Sequence, residues 1–257
     1  MRNLMKVWVL TFLVLASCIK SEATFANEGP APDHKIWNEL LEKYVSSEGF
    51  MDYKGIISEK AKFEKYLDQL SNSVPTDSWT KNEKLAYWIN VYNAFTVKLI
   101  IDNYPLESIK DLNPTLSIPT INTVWAKDFF KIGGEDFSLD RVEHKILRKD
   151  FAEPRIHFAV NCASFSCPVL RAEAFMAEKV DEQLEEQAIA FINDSKRNKV
   201  TKNNPEVSKI FSWFGGDFKE GQTLIQFLNK YSKVKINEDA DVDFMDYKWS
   251  LNDASKK

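Results

Sequence analysis

The chain has 257 residues, with 34 basic and 38 acidic side chains and a formal charge of −4. An acidic balance without any basic run argues against nucleic acid or an anionic membrane surface as the main partner. Once a leader is set aside, roughly 220 residues remain, enough for one substantial core.

Arg2 and Lys6 make a short basic stretch, and Val7 to Ala16 an apolar one too short to cross a bilayer as a helix. It runs into Leu15-Ala16-Ser17-Cys18, which resembles a bacterial lipobox. Residues 1–17 are therefore expected to be a lipoprotein signal peptide, with Cys18 acylated as the new N-terminus. Ordinary secretion with cleavage after Thr24-Phe25-Ala26 is the alternative. Either way the chain is expected to leave the cytoplasm by the Sec route. Ile19 rather than Asp after the cysteine favours, by resemblance to enterobacterial sorting rules, the outer membrane facing the periplasm. Without residues 1–17 there are 32 basic and 38 acidic residues, a charge of −6. Residues 18–33 read as a polar tether, with the lipid as the membrane contact. Residues 34–257 read as a single globular domain.

His34 to Ser47 has apolar residues at helical spacing and Gly49 stops it, followed by a short extended piece, Phe50 to Tyr53. Glu59 to Leu70 is a second amphipathic helix. Thr80 to Tyr104 carries the strongest signal: Thr80 and Glu83 form a capping box and Pro105 ends the run. Two adjacent apolar stripes imply burial on most sides, leaving Lys84, Val91, Lys98 and Asp102 outside. Asn90 and Asn93 fall on the second stripe. Leaving two buried carboxamides unpartnered would cost about 1–3 kcal/mol each, so they need partners or line a site.

Phe129 to Ile132, Gly133-Gly134 and Asp136-Phe137 read as a β-hairpin. Ser138 can cap a helix running to about Lys149, with Glu143 and His144 beside its apolar stripe. Arg155 to Val160 reads as an apolar strand carrying His157. A helix is expected from Pro168 to about Met176 and a longer one from Lys179 to Asn193. Lys199-Val200 and Val207 to Trp213 are short strand candidates, Gly215-Gly216 a turn, and Gly221 to Tyr231 a last helix. The expected fold is a helix-rich α+β domain with a small, mainly antiparallel sheet packed on a long central helix.

The stretch Asn161-Cys162-Ala163-Ser164-Phe165-Ser166-Cys167-Pro168 holds the most chemistry, with two thiols, two hydroxyls and a carboxamide straight after His157. A Cys or Ser delivered beside a His is how many covalent sites are built. In one reading Cys162 is the nucleophile of a hydrolase or acyltransferase, His157 or His144 its base, and Asn90, Asn93 or Asn161 an orienting group, with Ser164 and Arg155 as further contacts. Five residues separate His157 from Cys162, so on a continuous strand they face opposite ways and meet only if the chain bends. In the other reading Cys162 and Cys167 form a disulfide around a four-residue turn, and His157 is a core histidine bonded to Asn90 or Asn93. The protein then binds an envelope ligand (peptide, glycan or protein) without chemistry. A zinc site of His144, His157 and Cys162 lacks metal-type spacing, a Cys-x-x-x-x-Cys spacing is not the redox Cys-x-x-Cys, and no cofactor is expected.

The blocks Leu85 to Ala94, Leu139 to Arg148, Pro154 to Ser164, Cys167-Pro168, Ser208 to Phe214 and Tyr247 to Leu251 resemble, in order, the domain of unknown function 547 family. The resemblance covers about residues 80 to 251 and departs at Lys248, where Asp is expected. It implies a secreted or lipid-anchored bacterial protein and no particular reaction. A Cys, a His and an Asn around one helix are also similar to papain-like and transglutaminase-like enzymes. Those folds place the Cys on the N-terminus of the central helix, where this chain has none.

Overall fold

The computed structural model describes residues 29–114 and 123–256. The expected signal peptide, Cys18 and most of the expected tether lie outside the described residues. The chain opens with three helices, α1 (Lys35–Tyr44), α2 (Tyr53–Ser58) and α3 (Lys60–Asn72). Gly49, between α1 and α2, has φ +78° and sits against Val169, whose Cβ would lie 2.4 Å from a Cβ placed on residue 49. Only glycine fits both demands.

Helix α4 (Lys81–Ile101) is the centre of the fold. Thr80 accepts from the Glu83 backbone and Glu83 reaches back to Thr80, the capping box expected from the sequence. Fifteen of its 21 residues are buried, including Val91, which was expected outside. Such a helix is held by neighbours on nearly every side, each buried Leu, Ile or Phe contributing about 1.5–3 kcal/mol. One neighbour is the hairpin of β1 (Phe130–Ile132) and β2 (Glu135–Phe137), paired antiparallel in the expected place. Phe130 stacks on Phe95 at 3.9 Å between ring centroids, and Phe137 on Trp88 at 5.6 Å.

The segment after the hairpin is helical but wide and underwound: Arg141–Leu147 is a π-helix that runs into one tighter turn, α5 (Arg148–Asp150). Ser138 caps it, accepting from the Arg141 backbone. Pro154–Phe158 is a 3-10 helix, not the expected strand. Proline occupies its first turn and the Glu153 side chain accepts from the Arg155 backbone, so local capping outweighs the apolar pattern. The stretch after Pro168 is not a helix either; residues 169–176 run without regular structure, tied by side chains described below.

Helix α6 (Val180–Ile192) follows as expected. Strand β3 (Glu206–Ser208) pairs in parallel with β4 (Asp243–Met245), forming a second small sheet. The rest of the strand expected to reach Trp213 is instead α7 (Ile210–Trp213). Gly215-Gly216, expected as a turn, opens the helix α8 (Gly215–Phe218). Helix α9 (Leu224–Tyr231) closes the C-terminal half, capped by Thr223 and Gln226. The helix-rich α+β reading holds. The main core surrounds α4, and a second one, rich in phenylalanine, gathers Phe158, Phe191, Phe211, Phe218 and Phe227.

Candidate functional site

Both asparagines of α4 act on backbone. Asn90 donates to the Phe175 carbonyl at 2.7 Å and accepts from the Phe175 N–H at 3.1 Å. Asn93 donates to the Ala159 carbonyl at 2.9 Å and accepts from the Asn161 N–H at 2.8 Å. Neither reaches His157, which corrects the expected Asn–His contact. They are satisfied clamps, and what they clamp is the irregular chain on each side of the cysteine turn.

The turn is built by Asn161. Its side chain donates to the Pro168 carbonyl and accepts from the Ala163 N–H, both at 2.8 Å. Ala163 adopts φ +61°, a left-handed conformation that is costly for alanine. The chain therefore doubles back and the two thiols meet. Cys162 Sγ lies 2.7 Å from Cys167 Sγ and 3.2 Å from Ser164 Oγ. Tyr247 Oη is 2.9 Å from Ser164 Oγ and 3.4 Å from Cys162 Sγ. Both cysteines are free thiols here. Donation to Cys167, then burial, pushes the Cys162 thiol well above its ordinary value. Burial acts on Cys167 in the same sense, but hydrogen bonds from Cys162, Tyr247 and the Cys162 N–H outweigh it and hold that thiol below its ordinary value. The hydrogen bonds thus make Cys167 the more acidic member of the pair.

His157 is oriented elsewhere. Its Nε2 donates to Asp217 Oδ2 at 2.7 Å, and Arg148 holds both oxygens of that carboxylate at 2.6 and 2.8 Å. The imidazole is stacked on Phe214 at 4.0 Å. Burial keeps it neutral, lowering its pKa against the pull of Asp217. Burial would raise Asp217, but Arg148 and His157 keep it well below the usual carboxylate range. With Nε2 carrying the proton, Nδ1 is an unprotonated acceptor; it has no hydrogen-bond partner and faces Glu143 Oε1 at 3.8 Å. Burial, aided by the charge Cys162 would bear, pushes the Glu143 carboxyl up to about 8. His144 lies beside Arg148 at 3.1 Å, and burial lowers its pKa. Burial raises Asp140.

These groups share a pocket of about 430 Å3. Cys162, Cys167, His157, His144, Glu143 and Asp140 supply its polar lining. Trp125, Trp213, Phe214, Tyr247, Trp249 and Tyr92 supply the aromatic part. Tyr247 and Trp249 pack at 4.5 Å, Trp213 and Tyr247 at 4.8 Å. A larger cleft of about 800 Å3 lies between the hairpin and the start of α4, lined by Lys81, Lys84, Trp88 and Glu135, and holds no comparable set of reactive groups.

The pocket therefore collects four of the residues expected from the sequence: Cys162, Cys167, His157 and His144. Ser164 touches the thiol pair. Asn90, Asn93 and Asn161 are structural, and Arg155 is occupied by Glu153, Asp181 and Glu185. No cysteine–histidine hydrogen bond occurs among the described residues, and none of their His, Cys, Asp and Glu groups is arranged to hold a metal. Sequence reasoning passed over Asp217, hidden after a pair of glycines, and gave Glu143 no role, although a carboxylate next to a buried stripe was a usable signal.

Residues 76–192 match the family model described as Protein of unknown function, DUF547, the family that the sequence resembles. The match holds the α4 clamps, Glu143, His157 and both cysteines. It stops short of Asp217, Trp213, Tyr247 and Trp249. No curated protein and no solved structure matches the chain.

Proposed function

We propose that this DUF547 chain is a cell-envelope lipoprotein that binds a small ligand in the aromatic pocket without covalent chemistry. In an oxidising compartment Cys162 and Cys167 close into a structural disulfide. The observation that carries this reading is the contact between the two sulfurs, 2.7 Å, with no histidine among the partners of Cys162. A nucleophilic thiol needs a base that lowers its pKa. Cys162 instead sits far above its ordinary value.

The competing reading is a thiol-dependent hydrolase or acyltransferase. It is favoured by one observation, the Cys162 N–H that donates to Cys167 Sγ at 3.0 Å, a contact suited to a thiolate at Cys167 rather than Cys162.

Alkylation of the membrane-extracted protein before and after reduction separates the two. The binding reading expects the thiols of Cys162 and Cys167 to appear only after reduction. Rapid alkylation at neutral pH without reductant, slowed by replacing His144 or His157, would overturn it in favour of an enzyme.

A further inference from the structure

Glu143 is 7% exposed on the wall of the pocket; Tyr92 hydrogen-bonds it and Arg148 acts on it from a distance, while among the described residues its one ion-pair contact is the 3.8 Å approach to His157 Nδ1. That histidine is neutral, and its Nδ1 is itself buried without a hydrogen-bond partner. Asp140, on the same helical segment, lines the same pocket, with His144 3.8 Å away. Arg148 is held by Asp217 on both carboxylate oxygens. The pocket thus holds two carboxyl groups, a bare imidazole nitrogen and no cation of its own. A buried carboxylate is stable only when a cation or several donors meet it.

The remaining lining is aromatic. Rings of this kind attract a cation through their negative faces, and two already do so: Arg148 lies 5.2 Å from the Phe214 centroid and Lys110 5.1 Å from that of Trp249. We propose that the pocket recognises a small organic cation with a quaternary ammonium group, seated against the packed cluster of Trp213, Tyr247 and Trp249 in the pocket that Glu143 also lines. A quaternary nitrogen has no N–H to satisfy and matches the six aromatic side chains of the lining; a primary ammonium could meet Glu143, Asp140 and His157 Nδ1 but would leave those rings unused. A metal ion is poorly served, because indole and phenyl faces offer no ligand atoms. The inference rests on the binding reading above and names its ligand class.

The charge state follows. Groups facing Glu143 are Tyr92 from α4, Asp140, His144 and Arg148 on its own segment, His157, Cys162 and Cys167 from the turn, and Asp217 from α8. None of them is an unpaired cation. A bound ammonium favours the ionised carboxyl, so binding releases a proton near neutral pH and weakens as the pH falls.

The test uses choline and its uncharged carbon analogue, 3,3-dimethylbutan-1-ol, titrated into the full-length protein by tryptophan fluorescence and calorimetry. Choline is expected to bind about tenfold tighter than the analogue. The gap should shrink between pH 8 and pH 6 and in Glu143→Gln. Trp213→Ala, at a side chain 49% exposed, should fold normally and lose most choline affinity. Equal binding of the two probes, or no choline binding, overturns the proposal; equal binding would mean an uncharged ligand such as a glycan face. Failure here leaves the alkylation pattern unchanged, whereas failure of the binding reading appears in the alkylation itself.

Discussion

Nε2 of His157 donates a 2.7 Å hydrogen bond to Oδ2 of Asp217, and residues 60 apart in sequence thereby join the α4 side of the fold to α8. Arg148, holding the other face of that carboxylate, makes the contact a three-residue clamp. The clamp fixes the histidine tautomer and leaves Nδ1 free toward Glu143.

Asp217→Asn removes the charge that both partners require. Because Asp217 and Arg148 are each about a quarter exposed, solvent screens part of the loss. Urea unfolding at pH 7 should show a loss of about 1–3 kcal/mol. The sign with pH is set by the depressed folded-state pKa. The contribution is present above the ordinary value, 3.8, and is lost as the pH falls through the folded-state value. The difference between wild type and Asp217→Asn should therefore narrow in strong acid; a gap that widened there would refute the clamp.

Glu143→Gln should behave in the opposite sense. Its folded pKa, about 8, lies above the ordinary 4.5, so its stabilising contribution is complete below pH 4.5 and is lost as pH rises through 8. Glutamine does not ionise. The variant should match the wild type near pH 5 and exceed it at pH 9, by at most about 5 kcal/mol. Thermal melts across that range measure it, and parallel curves would mean the carboxyl is not protonated in the fold.

Asn93→Ala would leave the Ala159 carbonyl and the Asn161 N–H unpartnered in the interior. The expected loss is about 2–6 kcal/mol, from two buried groups at about 1–3 kcal/mol each. Asn90→Ala should cost a similar amount through Phe175. Hydrogen exchange at Asn161 should accelerate in the first variant and not in the second. A variant with unchanged stability would return these residues to the list of ligand contacts.

If the cysteines pair as proposed, closing so short a loop contributes about 2 kcal/mol by chain entropy. Melting with and without reductant should differ by a few degrees, and Cys162→Ser should abolish that difference. No effect of reductant on the wild type would mean that the pair stays reduced.

Periodicity and end signals marked the longer helices α1, α3, α4, α6 and α9; they missed the short α2, α7 and α8 and suggested a helix after Pro168 that is absent. The capping box at Thr80, the double stripe on α4 and the Gly133-Gly134 hairpin are local features, each set by residues within a few positions, and all three stand. The need of Asn90 and Asn93 for partners was also legible, because burial of a carboxamide has a cost whatever surrounds it. Which partners they take was not, since Phe175 and Asn161 lie 85 and 68 residues away.

Where local capping competed with an apolar pattern, at Pro154–Phe158, the pattern misled. A run such as Ile156-His157-Phe158 is equally suited to a strand or to a buried helical turn, and only the neighbours decide. The site itself is the clearest case. The sequence alone marked the cysteine turn and both histidines, because those side chains are scarce and chemically distinctive. Asp217 and the aromatic rings of Trp213, Tyr247 and Trp249 reach them only through folding. Their roles depend on burial and on charges brought within a few ångströms, and a carboxylate's pKa or a ring's partner is a property of that assembled neighbourhood rather than of any segment of chain.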